Sequence, residues 1–305
     1  MRRKRRELLR EVIRHRELYI LFIPVALFYI IFSYVPMFGV TLAFKEYHIK
    51  LGIFGSKWIG FDHFVSLFQT VKFLEVFKNT ILISFLRIVF GFPVPIIIAL
   101  MFNEVRKERF KNVLQTLMYL PHFISWVIMA KLMQDILSLD GIINQIVVAF
   151  GGEAKSFMLD PDSFYWILLL SEILKETGWG TIIYTAALAG VPAELYEAAE
   201  VDGCSRFKKI VFITIPCIGM TIMINFLLAL GNIMNAGFDP IFNLYNPAVY
   251  STADIIDTYV YRIGLGVGEF EQATAVGLFK SLINFVLLIG SNTIVKKIAG
   301  VGLYE

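Results

Sequence analysis

A long apolar run near the start of the chain decides the fold class, and it reads LYILFIPVALFYIIFSYVPMFGVTLAF, Leu18–Phe44. The run contains no Asp, Glu, Lys or Arg. The hydrocarbon core of a bilayer is about 30 Å thick, and about 20 mostly apolar helical residues cross it. Because Leu18–Phe44 exceeds that length without a charge, it predicts a membrane-spanning helix. The run is too long for a signal peptide and has no small-residue cleavage site, so we expect this helix to remain in the mature protein.

The rest of the chain has the same character. Of its 305 residues, 57% are hydrophobic and 17% are charged, which is more apolar surface than one soluble core could bury. We therefore predict an all-α, polytopic membrane protein with six spanning helices. The predicted spans are Leu18–Phe44, Phe77–Phe102, Val113–Leu137, Phe164–Ala189, Ile210–Met234 and Ala273–Ile294.

Basic residues indicate which way the spans face, because cytoplasmic loops carry an excess of Lys and Arg. They concentrate in four segments: 2–16, 106–111, 206–209 and 296–297. Both termini are therefore predicted to be cytoplasmic. The predicted organisation is a basic cytoplasmic tail at 1–17, a six-helix domain at 18–297 with a cytoplasmic loop at 190–210 and an external loop at 235–272, and a cytoplasmic tail at 298–305.

The sequence offers no catalytic motif. A phosphate-binding P-loop needs G-x-x-x-x-G-K-[ST], and the nearest segment, GGEAKS at 151–156, lacks that spacing. The four histidines and two cysteines are scattered, with none at metal-ligand or redox spacing. We therefore expect no catalytic residue, no metal site and no ATP hydrolysis by this chain itself.

An acidic stretch, ELYEAAEVDGC, occupies Glu194–Cys204 in the loop predicted to be cytoplasmic. Pro192 suits a first helical turn, and Gly203 suits a left-handed helix end, which together predict two short helices joined at a glycine. One interpretation is an amphipathic helix on the lipid headgroups, but acids are unfavourable beside an anionic inner leaflet. The other interpretation, contact with a protein partner, explains the acids better.

The segment YEAAEVDGCSRFKKIVFITIP, Tyr196–Pro216, resembles the EAA signature of permease subunits of binding-protein-dependent ABC importers. Cys204 stands where that family often has alanine, and Ile215 where it often has leucine. Two further segments, 21–47 and 250–264, resemble permeases that import complex oligosaccharides or polysaccharide fragments. The positions that fall on the signature are Glu197, Ala198, Ala199, Asp202, Gly203, Ile213 and Pro216.

The resemblance implies a type I ABC importer permease fold in the plasma membrane. It also implies that loop 190–210 is a coupling helix, which docks in a cytoplasmic ATPase and transmits its closure to the membrane helices. The residues implied in coupling are Glu197, Ala198, Ala199, Asp202, Gly203 and Arg206.

The resemblance further implies a set of partners and no cofactor held by this chain. ATP and Mg²⁺ would be used by two cytoplasmic ABC ATPase subunits. A second, homologous permease would complete a heterodimer in the bilayer, and an extracellular sugar-binding protein would deliver the substrate. No nucleic acid is expected.

Ionisable residues inside the fourth predicted span indicate a substrate pathway, because a charge at a helix centre costs about 2.5–3.5 kcal/mol on insertion scales. Glu172, Lys175, Glu176 and Trp179 recur at helical spacing, so we expect them to share one face. That face would hydrogen-bond sugar hydroxyls and offer the indole ring to a pyranose. An internal Glu172–Lys175 pair buried for packing is an equally good interpretation.

Three amides on the fifth predicted span, Asn225, Asn232 and Asn235, suggest a second polar lining, since an amide both donates and accepts hydrogen bonds. Hydrogen bonds between helices would explain them equally well. Arg87 is a weaker candidate, and so is the pair Lys131 and Asp135. In the last external loop, the apolar residues 255, 256, 259, 260 and 263 recur at helical spacing and predict an amphipathic helix packed on the bundle.

Two other classes of protein remain as alternatives. An ion-coupled secondary transporter would use Glu172 and Glu176 as proton sites, but it leaves the acidic loop unexplained, and no inverted repeat is evident. A membrane enzyme would need a catalytic constellation that the sequence does not contain.

Overall fold

The computed structural model describes residues 14–299. Most of these residues lie in helices, and the strands among them form one short antiparallel hairpin in which Lys45 pairs with Trp58. The predicted tails at 1–17 and 298–305 lie largely outside the described residues. At the C-terminal end the last helix continues to Ala299, past the predicted start of the tail.

The order of elements is as follows. The first half contains β1 (Lys45–Glu46), β2 (Lys57–Trp58) and the helices α1 (Arg16–Tyr29), α2 (Gly52–Gly55), α3 (Asp62–Gln69), α4 (Val71–Leu86), α5 (Pro93–Glu104), α6 (Glu108–Tyr119), α7 (Trp126–Ile136) and α8 (Ile142–Ala149). The second half contains α9 (Pro161–Ala189), α10 (Ala193–Val201), α11 (Arg206–Lys209), α12 (Ile215–Cys217), α13 (Gly219–Gly231), α14 (Phe238–Leu244), α15 (Tyr250–Ala253), α16 (Ile256–Tyr261) and α17 (Phe270–Ala299). Short π or 3-10 segments extend several of them, at Ile30–Tyr34, Pro36–Phe44, Arg87–Gly91, Leu120–Phe123, Ile210–Thr214 and Arg262–Val267.

Three continuous helical rods within residues 14–299 are long and apolar enough to cross a membrane: Arg16–Phe44, Val71–Glu104 and Phe270–Lys297. Two helix pairs pass the same test only if each is counted as one broken span, which raises the number to five. The fourth predicted span corresponds to α9, a helix of 29 residues. Length and hydropathy alone do not identify this helix as a membrane span, because Glu172, Lys175 and Glu176 lie near its middle.

The prediction of one continuous helix over Val113–Leu137 is wrong. The chain forms two helices, Glu108–Phe123 and Trp126–Ile136, whose axes differ by 102°. Pro121 lies in the tight turn at the end of the first helix and has no N–H to continue the ladder. The Oγ of Ser125 then accepts a hydrogen bond of 3.3 Å from the N–H of Ile128 and starts α7 in the new direction.

The fifth predicted span, Ile210–Met234, is also broken. Arg206–Cys217 and Gly219–Gly231 meet at an angle of 63° on either side of Ile218, whose backbone leaves the helical region. Pro216 removes a backbone donor just before this point, which weakens the helix there. The second half ends at Gly231 rather than at Met234.

Helix α9 lies at the centre of the bundle and contacts α5, α6 and α13. Two glycines allow this close packing. A Cβ on Gly178 would overlap the carbonyl oxygen of Met118 on α6, and one on Gly180 would lie 3.1 Å from Pro95 on α5. Because no other side chain fits at Gly178, the position of α9 against the end of α6 depends on that residue.

The amphipathic pattern in the last predicted external loop forms the short helix α16. Ile255, Ile256, Tyr259 and Ile263 are all buried, and they join the two larger apolar clusters of the described residues. The prediction that this segment packs on the bundle is confirmed. By contrast, no residue of α1 is buried within this single chain, so its apolar surface is left for lipid or for another subunit.

Candidate functional site

An ion pair with a buried carboxylate lies between the helical segment Val71–Glu104 and α9. The Nε of Arg87, on the π segment Arg87–Gly91, lies 2.6 Å from Oε2 of Glu172. The Nη1 of Arg87 donates a second hydrogen bond of 3.1 Å to the backbone oxygen of Asn235. The Glu172 side chain is only 8% exposed. Arg87 therefore joins three segments of the chain and offsets a carboxylate that would otherwise be costly to bury.

The second oxygen of this carboxylate is not satisfied. Oε1 of Glu172 is buried and has no hydrogen-bond partner among the described residues. The same is true of Oγ of Ser84, on the helix that carries Arg87. Buried polar atoms are normally paired, so two unpaired ones beside the same ion pair indicate a place where water or a ligand completes the hydrogen bonding.

A cavity of about 370 Å³ lies beside this ion pair. Its polar wall contains Ser84, Arg87, Glu172, Glu176, Asn232 and Asn235. Phe92, Pro95, Ile88 and Ile233 are among the apolar residues on the other side. A concave, mostly apolar space with a few converging polar groups is the usual form of a small-molecule site.

Gly237 lies beside the ion pair. Its φ is +89°, a left-handed conformation that favours glycine. A Cβ at this position would lie 3.0 Å from Nη1 of Arg87 and 3.1 Å from Oε1 of Glu172. The backbone turn after α13 can therefore approach the ion pair only because residue 237 has no side chain.

The four residues expected to share one face of the fourth span do not share one environment. Glu172 and Glu176 line the cavity, whereas Lys175 and Trp179 contact the break between α6 and α7. Glu176 belongs to both environments, because its carboxylate also pairs with Lys175 and His122 at that break. Trp179 lies about 10 Å further along the axis than Glu172.

Lys175 and its neighbours fasten the broken third helix to α9. The Nζ of Lys175 donates a hydrogen bond of 2.7 Å to the carbonyl oxygen of His122 and lies 3.2 Å from Oε1 of Glu176. Nδ1 of His122 lies 2.7 Å from Oε2 of Glu176, and the imidazole stacks on Trp179 with the ring centres 4.5 Å apart. The alternative of an internal Glu172–Lys175 pair is therefore wrong, because each residue pairs with another partner.

Two of the three predicted amides lie at the cavity. Nδ2 of Asn235 donates to Oδ1 of Asn232 over 3.1 Å, and both residues line the wall. Asn225 donates to the carbonyl oxygen of Thr221 in its own helix and lies away from the cavity. The donors of Asn225 and Asn232 go to their own helix, which does not support the alternative of bonds between helices.

Arg87 lies at the centre of the site, although the sequence indicated it only as a weaker candidate. A charged residue inside a predicted span was the available signal, but its partner lies on a different helix and could not be identified from local spacing. The other weak candidate, Lys131 with Asp135, forms an exposed pair of 2.7 Å on one helix and does not line this cavity.

The loop predicted to couple to an ATPase folds as two short helices, α10 and α11, joined at a glycine, as expected. Gly203 has a φ of +71°, and the N–H of Cys204 donates to the carbonyl oxygen of Ala199 over 2.9 Å, which closes the end of α10. Ser205 then caps α11 by accepting from the N–H of Lys208.

The coupling residues implied by the signature are mostly on the outside of this elbow. Ala199 is buried against the protein, whereas the exposed members of the set are Glu197, Ala198, Asp202, Gly203 and Arg206. Val201 and Phe207 are exposed apolar side chains beside them, at 89% and 75%. Glu200 pairs with a residue of the same loop. Its carboxylate accepts a hydrogen bond of 2.6 Å from Nζ of Lys209, which lowers the pKa of Glu200.

Comparison with known proteins identifies the family. Residues 91–300 match the family model of the binding-protein-dependent transport system inner membrane component. The chain is 43% identical to protein LplB of Bacillus subtilis (strain 168), over 95% of this chain and 92% of that protein. It is 41% identical to the polygalacturonan/rhamnogalacturonan transport system permease protein YteP of the same organism, over 99% and 94% of the two chains.

A solved structure agrees over nearly the whole chain. It is a bacterial alginate ABC transporter in complex with an alginate pentasaccharide-bound periplasmic protein. One chain of it superimposes with a TM-score of 0.91 at 40% identity, covering 97% of this chain and 99% of that one. With its broken helices, its glycine elbow and this match in sequence and fold, the chain belongs to the family of inner membrane components of binding-protein-dependent transport systems.

Proposed function

We propose that this chain is one permease subunit of an ATP-driven importer of oligosaccharides or polysaccharide fragments. The observation that carries the proposal is the cavity beside Arg87 and Glu172. Its unpaired carboxylate oxygen, amides and apolar wall suit a ligand that offers both hydroxyl groups and apolar faces. Saccharides have that chemistry, and the names of two relatives refer to saccharide transport.

The chain itself is proposed to be non-catalytic. The glycine elbow, with Glu197, Asp202 and Arg206 exposed, would dock in a cytoplasmic ABC ATPase that holds ATP and Mg²⁺. The proposal includes six membrane spans with both termini in the cytoplasm. Five of these spans pass the test of length and hydropathy, and α9 would be the sixth. Two ATPase subunits, a second permease in the bilayer and an extracellular sugar-binding protein would complete the assembly.

The coupling role can be tested by comparing uptake and ATPase association in wild type, Glu197→Lys and Glu194→Lys. Both glutamates are exposed on α10, but only Glu197 falls within the signature. We expect Glu197→Lys to lose ATPase co-purification and uptake together, while the matched Glu194→Lys control keeps both. Loss of neither property, in a variant that inserts normally, would contradict the coupling assignment.

The energy source separates the proposal from an ion-coupled secondary transporter that uses Glu172 and Glu176. Uptake into membrane vesicles should require ATP on the ATPase side and should be insensitive to a protonophore while ATP is supplied. Uptake that collapses with the proton gradient, and proceeds without ATP, would favour the secondary transporter.

A further inference from the structure

A second cavity, of about 520 Å³, lies among α14, α16 and the start of α17. Its wall includes the rings of Phe238, Tyr261 and Phe270. Tyr261 is 42% exposed and Phe270 is 37% exposed, so part of each ring is not covered by other residues of the chain. Phe242 extends the aromatic surface, with its ring centre 5.0 Å from those of both Phe238 and Tyr261.

The cavity also has a polar side. Asp257 lies on its wall, with Oδ1 2.5 Å from Nζ of Lys280, and the carboxylate remains 26% exposed. Thr274 adds a hydroxyl, which donates to the carbonyl oxygen of Phe270 and keeps its lone pairs available. The pair with Lys280, on α17, offsets the cost of placing the Asp257 carboxylate beside this apolar helix.

The walls of the two cavities include residues that are close in the chain. Asn235 lines the first cavity and accepts a hydrogen bond from Arg87 through its backbone oxygen. After the turn at Gly237, Phe238 lines the second cavity. Residues only three positions apart in the chain therefore line the two cavities.

We propose that the second cavity is an outer saccharide-binding subsite, at which the aromatic rings receive sugar residues before they enter the first cavity. This inference rests on the proposed function. The volume lies within the range of small-molecule sites. The C–H face of a sugar ring packs on the negative face of an aromatic ring, while its hydroxyls reach Asp257 and Thr274.

The test uses the complete transporter in its own host cells, supplied with a mixed hydrolysate of alginate, polygalacturonan and galactan. Mass spectrometry of the medium identifies the oligosaccharides that wild type removes and a deletion strain does not. If there are none, the proposed function fails and this inference fails with it. Otherwise those oligosaccharides are used for the variants Tyr261→Ala and Phe270→Ala, with Leu265→Ala as the control.

Leu265 is a suitable control because it lines the same cavity and is exposed, but carries no ring. We expect the initial uptake rate to fall about fivefold in both aromatic variants, to stay within about twofold of wild type in the control, and to recover in Tyr261→Phe. Hydrolysis of ATP stimulated by the sugar-loaded binding protein should be unchanged. A parallel loss of that stimulation would mean that the rings bind the binding protein, and would overturn the proposal; so would unchanged uptake.

A photocrosslinking residue at position 261 identifies the occupant directly. During uptake we expect a peptide whose mass increases by that of the transported oligosaccharide. The same residue at Phe285, which is exposed on α17 and does not line the cavity, should give no such product. Crosslinks at position 261 only to protein or lipid would overturn the proposal even if the alanine variants reduce uptake.

Discussion

The guanidinium of Arg87 and the carboxylate of Glu172 meet at 2.6 Å between two helices, and one oxygen of that carboxylate has no partner among residues 14–299. The pair neutralises the charge while leaving one hydrogen-bond acceptor available at the cavity. A site of this kind can bind hydroxyl groups without a net charge from these two residues. The contribution of the pair to folding and to transport can be separated by experiment.

The stability costs of removing the two members of the ion pair should not be additive. We expect Arg87→Met to destabilise the protein by about 3–5 kcal/mol, because it leaves the buried carboxylate of Glu172 without its partner. Glu172→Leu should cost less, because the Arg87 side chain is 34% exposed and water can still reach its charge. The double variant should cost less than the sum of the two, while uptake is lost in all three. Thermal unfolding in detergent and uptake in vesicles measure the two effects.

The exposed pair Lys131–Asp135 is the matched control for this cycle. Replacing either of its members should change stability by no more than about 0.5 kcal/mol. Additive costs at Arg87 and Glu172 would show that the two charges are independently solvated, contrary to the structure.

Gly178→Ala should be among the most damaging small substitutions. The added methyl group would collide with the carbonyl oxygen of Met118, a backbone atom that cannot rotate away. We expect a loss of about 3 kcal/mol or more, together with lower levels of protein in the membrane. Gly277→Ala on α17 is the control, since a Cβ there meets nothing within 4 Å and alanine is the better helix former. Equal stability of the two variants would rule out the close contact between α9 and α6.

Gly203 should be needed for its conformation rather than for lack of space. Its φ is +71° and a Cβ added there would meet no atom within 4 Å, so Gly203→Ala should cost about 1 kcal/mol through backbone strain alone. Gly203→Asn should be tolerated better, because asparagine enters the left-handed region more readily. Uptake and ATPase co-purification should follow the same order, Gly above Asn above Ala. An alanine variant that couples better than the asparagine variant would contradict this explanation.

Asp160, at the start of α9, should titrate at a lower pH than an ordinary aspartate. Asp160 caps this helix, and hydrogen bonds from Lys155 and Ser163 lower its pKa to about 2. Because the folded pKa lies below its ordinary value of 3.8, the contribution of the cap is fully present above that value and is lost as the pH falls towards 2. In Lys155→Met the carboxylate loses its largest stabilising contact, so NMR titration should show the pKa of Asp160 rising. An unchanged midpoint would exclude the Lys155 contact, which has a length of 2.6 Å in the structure.

Local patterns were enough to predict the class of protein and the two short helices of loop 190–210. Long apolar runs such as Leu18–Phe44 require lipid whatever surrounds them, and Pro192 and Gly203 set the elbow through their own backbone preferences. The bend at Pro216 follows from a missing N–H in the same way. These properties belong to one residue or one short segment, so no other part of the chain is needed to predict them.

The sequence by itself therefore determined that this chain is a helical membrane protein with an acidic glycine elbow, and its signature indicated the family. Only the tertiary structure decided that Glu172 pairs with Arg87 while Lys175 turns to the broken third helix. Those choices depend on how far each helix is rotated and how closely it approaches its neighbours. Contacts between distant residues, such as Gly178 against Met118, set that rotation, and helical periodicity carries no information about them.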